Sequence, residues 1–376
     1  MVSTGSSHQT RGRPASTSLP DVQHVLVTGA CGLVGSAVVE RMLGDGWQVT
    51  ATDLATAANR KALSRRRSGP RFAARWADLT DEADVTALLT ETRPDVIIHL
   101  AAVIPPTCYA APKVARAVNV DSVRMLVSAT EAAATRPRFV FASSMAVYGA
   151  RNPHRDLGLL TAETPVAPAD SYGQHKVEAE AIVRDADLDF VILRLAGVLT
   201  VEPRAAGGTE VLQFGALLPT DGRLQTVDVR DVAAAFAAAA REPVVGETFL
   251  IGGDESHRRV QGDVGADMVA AMGLDGVMPP GRPGDPDDDG AWFATDWMDT
   301  SDAQAKLRFQ HHSWSDMLSE IRARTGWRRY PLRMVAPLLQ LALARRSPYR
   351  DAPGTYADLW AGVRAMWGDP APDAGR

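Results

Sequence analysis

The run Val25-Leu-Val-Thr-Gly-Ala-Cys-Gly-Leu-Val-Gly-Ser36 constrains this chain more than any other. A short aliphatic strand pattern, Val25 to Val27, meets Gly29, Gly32 and Gly35, and an apolar helical pattern opens at once through Val34, Val38, Val39 and Met42. A parallel strand that turns straight into a helix needs a residue without a Cβ at the turn. It needs a second where a pyrophosphate approaches the backbone, and a third where helix and strand pack closely. The amides freed at the helix N-terminus then face the anion. A second strand, Trp47-Gln-Val-Thr-Ala-Thr-Asp53, follows and ends in an acid. The spacing predicts a dinucleotide site on a strand–turn–helix unit.

Strand and helix patterns alternate onward from that unit. Helices are expected near Ala57 to Ser64, Glu82 to Glu91, Val114 to Ala133 and Tyr172 to Ala186. Strands are expected over Arg71 to Trp76, Asp95 to Leu100, Arg138 to Ser143 and Phe190 to Arg194. Continuous apolar strands between amphipathic helices predict an α/β fold, a doubly wound parallel Rossmann-type sheet. After Arg194, glycine and proline thicken, and the helical patterns near Val232–Ala240, Val264–Met272, Trp314–Thr325 and Arg333–Arg345 read as a smaller, mostly helical C-terminal substrate lobe. The expected division is a disordered tail over 1–20, the nucleotide-binding domain over 21–195, with 227–241 returning to it, a substrate lobe over 196–368 and a frayed tail over 369–376.

Composition narrows the function. At 376 residues with 45% hydrophobic content the chain can bury a large core. A net charge of −5 with both signs interspersed gives no broad basic face for nucleic acid. Two cysteines, Cys31 and Cys108, make neither a disulfide framework nor a metal cluster, and point to a reducing, cytoplasmic setting. No metal is expected, since His311-His312 has no third ligand at metal spacing. The late helix, Pro331 to Arg345, with Leu332, Val335, Leu338, Leu339 and Leu343, is expected to cover the substrate lobe or a subunit contact. Shallow membrane binding is its alternative, and insertion across a membrane is not expected.

Tyr172-Gly-Gln-His-Lys176 places a phenol and an ammonium one helical turn apart, on one face. A neighbouring cation favours the phenolate and makes tyrosine a usable acid/base. Ser143-Ser144 ends the strand that begins at Arg138, and in open α/β sheets reacting groups gather at the carboxyl ends of strands.

These features resemble the extended short-chain dehydrogenase/reductase family, the NAD-dependent epimerase/dehydratase group. The likeness runs from about Val25 to Val232 through Thr28-Gly-Ala-Cys-Gly-Leu-Val-Gly35, Asp78-Leu79, His99-Leu-Ala-Ala102, Asn119-Val120, Ser143-Ser144 with Val147-Tyr-Gly149, Tyr172 with Lys176, and Val227-Asp-Val-Arg-Asp231. The resemblance implies Ser144 as the catalytic hydroxyl, Tyr172 as acid/base and Lys176 as its activator. It implies an NAD site made by Gly29, Cys31, Gly32, Leu33, Val34, Gly35, Asp53, Asp78, Leu79, Leu100, Ala101, Ala102, Asn119, Tyr172 and Lys176. In that set Asp78 meets the adenine amino group, and Asn119 mainly fixes neighbouring backbone. Asp53 favours NAD by accepting from the ribose and repelling a 2′-phosphate, against which stands the basic run Arg60 to Arg67.

Two departures bear on the reaction. Met145 and Ala146 stand where sugar-nucleotide dehydratases carry an Asp-Glu pair, and Arg194-Leu-Ala-Gly-Val198 lacks the asparagine that holds a diphosphate. Val103, Ile104, Pro105, Pro106 and Met145 suggest an apolar mouth. The expected function is hydride transfer between NAD and a secondary alcohol or ketone, on a small-molecule substrate, by a homodimer. An NAD-dependent epimerase, of a sugar or sugar-nucleotide, is the first alternative, and a catalytically silent NAD-binding scaffold the second.

Overall fold

The computed structural model describes residues 23–64, 69–202, 209–345, 347–350 and 353–372. The tail expected over 1–20, residues 373–376 and Arg65 to Arg67 of the basic run lie outside them.

β1 (His24–Thr28) is buried along its aliphatic length, as a strand covered on both faces must be. Through the glycine turn it feeds α1 (Leu33–Gly44), which buries Val38, Val39 and Met42. β2 (Gln48–Asp53), α2 (Ala57–Ser64), β3 (Phe72–Trp76) and α3 (Glu82–Thr92) build one side of the sheet. Asp81 starts α3 by accepting from the amides of Ala83 and Asp84. On the other side β4 (Val96–His99) leads to α4 (Thr107–Ala110), α5 (Pro112–Arg116) and α6 (Ser122–Glu131). The single helix expected over Val114 to Ala133 is interrupted by a π turn at Ala117–Asp121. There the Asn119 side chain accepts from the Val103 amide at 2.8 Å and donates to the Val103 carbonyl at 2.9 Å.

β5 (Arg138–Ser144), α7 (Ser171–Asp185) and β6 (Phe190–Leu195) follow. Beyond them come β7 (Gly197–Leu199), α8 (Thr209–Leu217), β8 (Arg223–Asp228), α9 (Val229–Ala239), β9 (Thr248–Ile251), β10 (Arg258–Val260) and α10 (Gln261–Ala271). α11 (Ser301–Leu307), α12 (Trp314–Thr325), α13 (Arg329–Arg345) and α14 (Leu359–Met366) end the fold. Seven strands form one parallel sheet in the order β3-β2-β1-β4-β5-β6-β9. Strand order reverses between β1 and β4, which opens a crevice at their carboxyl ends.

α9 packs along α1 and buries Val232 and Phe236 in the core around β1. β9 extends the large sheet, although it falls in the segment assigned to the lobe. A four-residue apolar run, Thr248-Phe-Leu-Ile251, carries too little periodicity to be told from helix or loop. The mostly helical lobe also holds a small sheet, β10-β8-β7, which packs with α10 and α12 around Leu224, Val264, Met317 and Ile321.

Two expectations at the C-terminal end, that the late helix covers the lobe and that the chain frays from 369, are corrected for the described residues. α13 does not bury its apolar face in the lobe: Ala336 alone is buried, while Val335, Leu338 and Leu339 are exposed and Leu332 and Leu343 half-buried. At its start the Arg329 backbone lies against Gly273, just beyond α10. Residues 369–372, expected to fray, are held near α7 by α14, whose Leu359 and Val363 are buried; the Pro370 carbonyl accepts from the Ser171 amide at 2.8 Å. No helix among the described residues is long and apolar enough to cross a membrane.

Candidate active site

The three glycines of the first turn divide their work. Gly29 has φ of +61°, and a Cβ on it would lie 2.8 Å from the Ala101 amide nitrogen. A Cβ on Gly35 would lie 2.1 Å from the Gly29 carbonyl oxygen, so α1 touches its own strand there. Gly32 meets only the Gly29 oxygen and otherwise faces the crevice. The loop is braced from β2: one Asp53 oxygen accepts from the Cys31 amide at 2.9 Å, and the other from the Leu54 amide and from Asn59 Nδ2. Thr28 Oγ1 ties β1 to β4 through the Leu100 amide and His99 Nδ1. Burial, with Lys176 nearby, pushes His99 down to about 3, so it serves as a neutral strut.

Ser144 ends β5, and its hydroxyl caps the short turn that follows by accepting from the Ala146 amide at 3.2 Å. Tyr172 enters from the first turn of α7. Burial lifts its phenol above the ordinary range, a hydrogen bond from Ser144 pulls it back, and Cys108 and Asp170 raise it further. Lys176, one turn on, donates from Nζ to the Ala142 carbonyl at 2.8 Å, and Nζ lies 5.9 Å from the centre of the Tyr172 ring. Burial pushes the ammonium down to about 8, with Glu180 opposing. The phenol thus stands above its ordinary range, not below it as the neighbouring ammonium suggests from sequence. A neutral phenol donates a proton well and accepts one poorly.

Several supports were not evident from sequence. Gly173 lets α7 come close, since a Cβ there would lie 2.5 Å from the Ala146 carbonyl. Asp170 starts α7, accepting from the Gly173 amide at 2.7 Å and from the buried Tyr109 hydroxyl. Glu180 receives Ser143 Oγ at 2.5 Å and two guanidinium bonds from Arg194, at 2.7 and 2.9 Å. Arg194 spends its remaining reach on Tyr148 and the Ala162 carbonyl. Its pairing with Glu180 escapes the sequence, because contacts between a helix and a strand depend on a register that sequence does not display.

A cleft of about 440 Å³ joins these parts. Gly29, Gly32, Leu33, Val34, Gly35, Leu100, Ala102, Ser144, Tyr172 and Lys176 line it. Ile104, Pro105, Met145, Phe214, Leu224 and Phe293 form its outer, apolar part. Ala101 backs Gly29 and Cys31 is held by Asp53, both at the cleft's edge. Asp78, Leu79 and Asn119 do not line the cleft. One Asp78 oxygen is occupied by Thr80, Leu79 is buried in the core beneath α3, and Asn119 is committed to Val103. A glycine turn that packs tightly on its own strands at Gly29 and Gly35 and leaves Gly32 open to the crevice, a helix N-terminus beside it and a carboxylate at the end of β2 fit a dinucleotide.

Residues 25–252 match the NAD dependent epimerase/dehydratase family. A UDP-glucose 4-epimerase of Mycolicibacterium smegmatis is 31% identical over 264 residues, which are 64% of this chain and 82% of that protein. UDP-arabinose 4-epimerase 1 of Arabidopsis thaliana is 32% identical over 205 residues, 50% of this chain; the match spans about half that protein's length, 46%. Among solved structures, the UDP-Glc/GlcNAc 4-epimerase of Campylobacter jejuni superposes with a TM-score of 0.66 at 20% identity, covering 82% of this chain and 99% of that one. Bordetella bronchiseptica WbmG, solved with NAD and UDP, gives 0.63 at 20% identity, covering 83% and 97%.

Proposed function

The chain belongs to the NAD dependent epimerase/dehydratase family, and from that membership we propose that it oxidises or reduces a secondary carbinol or ketone with Ser144, Tyr172 and Lys176 as its reacting set. Bound NAD supplies the hydride acceptor or donor. Ser144 and Tyr172 hold the substrate oxygen. Tyr172, kept protonated by burial, gives its proton to a carbonyl oxygen as that carbonyl is reduced. Lys176 in its charged form favours the phenolate left behind, which makes the step reversible. The outer cleft fixes which face of the substrate meets these groups, so positioning carries much of the rate.

The observation that carries a net dehydrogenase or reductase is the lining of that cleft. Its outer residues are apolar, and among the described residues Lys176 is its one cation. A ketone or alcohol with apolar flanks suits such walls. Steroids, polyketide-like ketones and free sugars, each incubated with NAD or NADH and followed by NADH absorbance, test it. Net turnover on an apolar member supports the reading, and no net turnover on any member overturns it. The second reading, a nucleotide-sugar 4-epimerase, draws support from the relatives' activities. It predicts cofactor retained through purification and interconversion of epimers without NADH release. A silent scaffold predicts neither. The proposal takes the enzyme as a cytoplasmic homodimer, for which sedimentation at several concentrations is the test.

A further inference from the structure

α13 presents an apolar face that no described residue covers. Met334, Leu338 and Leu341 stand four and three residues apart, on one side of the helix, and are 82%, 70% and 50% exposed. Trp327 and Tyr330, at the helix entry, are 73% and 56% exposed. Charge on this stretch is as one-sided as its apolarity. From Ile321 to Arg350 the sequence holds eight arginines and no aspartate or glutamate, in a chain of net charge −5. Arg328, Arg333 and Arg345 are exposed around the apolar face.

We propose that α13 is a peripheral docking element for an anionic lipid bilayer, lying in the headgroup plane with Met334, Leu338 and Leu341 toward the acyl chains and its arginines among the headgroups. A bilayer of this kind supplies an apolar layer and a negative surface together, and Trp and Tyr favour the boundary between them. A second copy of the chain meets the apolar requirement only. Two-fold pairing would set an all-basic strip against itself with no acid to neutralise it. The helix has 17 residues and carries Pro337, so it lies on the surface and does not span. Beyond α13, Tyr349 donates to the Leu217 carbonyl at 2.7 Å and packs in the cluster that includes Phe214 and Phe293 of the cleft wall. A docked helix therefore sits one short connection from the substrate end of the cleft.

The test is flotation of the full chain with vesicles of phosphatidylcholine containing phosphatidylglycerol, beside vesicles of phosphatidylcholine alone. The expected result is flotation with the anionic vesicles only, weakened by salt and lost in a Met334→Glu/Leu338→Glu variant that keeps wild-type circular dichroism. Changing Arg328, Arg333 and Arg345 to Gln should lower partitioning roughly a hundredfold, about fivefold for each charge lost near such a surface. Equal flotation with both vesicle types, or none with either, overturns the proposal. So does a concentration-dependent dimer that the Met334→Glu/Leu338→Glu variant abolishes while neither protein binds lipid, since a second copy is then the occupant.

Discussion

Gly173→Ala should slow the enzyme while leaving the glycine turn of its cofactor site in place. Gly173 sits in the first turn of α7, next to Tyr172, and there the helix approaches the turn that follows Ser144. In open space the change would help, because alanine is about 1 kcal/mol better than glycine in a helix. Here the new Cβ starts 2.5 Å from the Ala146 carbonyl oxygen and must reach about 3.4 Å for ordinary contact, a shift of about 0.9 Å between α7 and the Ser144 turn. Overpacking of this kind costs roughly 1–3 kcal/mol, so the net effect on stability is a loss of about 0–2 kcal/mol. In the proposed reaction Ser144 and Tyr172 hold one substrate oxygen between them, and a misplacement near 1 Å costs up to ~10²-fold in rate. The assay is turnover on whichever substrate the panel identifies, beside urea unfolding and an NAD titration. Gly215→Ala, in α8 with nothing within 4 Å, is the control and should be neutral or stabilising. Gly173→Ala protein that is more stable than wild type and turns over normally would refute the argument that this close approach sets the Ser144–Tyr172 geometry.

Tyr172→Phe removes the proposed proton donor and keeps the ring, so turnover should fall ~10²–10⁴-fold with NAD affinity near wild type; loss of NAD binding in step with turnover would reassign the residue. Lys176 is pushed down to about 8, so its charge disappears as pH climbs through that value, while the raised phenol of Tyr172 stays protonated. Turnover should therefore decline above about pH 8, and a rate still rising there would remove the ammonium from the mechanism. Asp53→Ala should weaken NAD and relax exclusion of NADP. It should also cost about 1–3 kcal/mol, because the Cys31 amide and Asn59 lose their acceptor. Wild-type preference for NADP in a binding titration would contradict it.

What could be read from sequence was whatever repeats or punctuates. The Val25–Ser36 turn announces its own geometry, because a strand, three glycines and a helix leave one local solution, and the parallel strands show as unbroken aliphatic runs. What escaped depends on partners far along the chain. Asn59 is invisible as a brace until α2 folds back to Asp53, and Glu180 and Arg194 meet only once α7 lies across β5 and β6. β9 is too short to show a period. The amphipathic pattern of α13 states that an apolar face exists and is silent on what covers it. Asp78 and Leu79 are expected at the cofactor by likeness alone; in the structure Leu79 is buried in the core and one Asp78 oxygen accepts from Thr80.

Arg194 decides how the cleft treats charge. By chain position it adjoins Leu195 and Ala196 of the cleft wall, where a guanidinium turned towards the cleft would receive a diphosphate. The fold denies it that role. Two bonds go to Glu180 and others to Tyr148 and the Ala162 carbonyl, so its charge is neutralised and its donors are spent inside the protein. Freeing it would leave the buried Glu180 carboxylate to Arg184 and Ser143 alone. Lys176 is then the cation left to the cleft, and its Nζ already holds the Ala142 carbonyl beside Tyr172. A diphosphate laid against Ile104, Met145, Phe214 and Phe293 would lose its water with nothing in return from the described residues. UDP should accordingly fail to inhibit turnover and fail to raise the melting temperature of the NAD-bound protein, whereas an apolar ketone should do both. Saturable UDP binding that competes with substrate would overturn this account of the cleft and move the enzyme to the nucleotide-sugar epimerases.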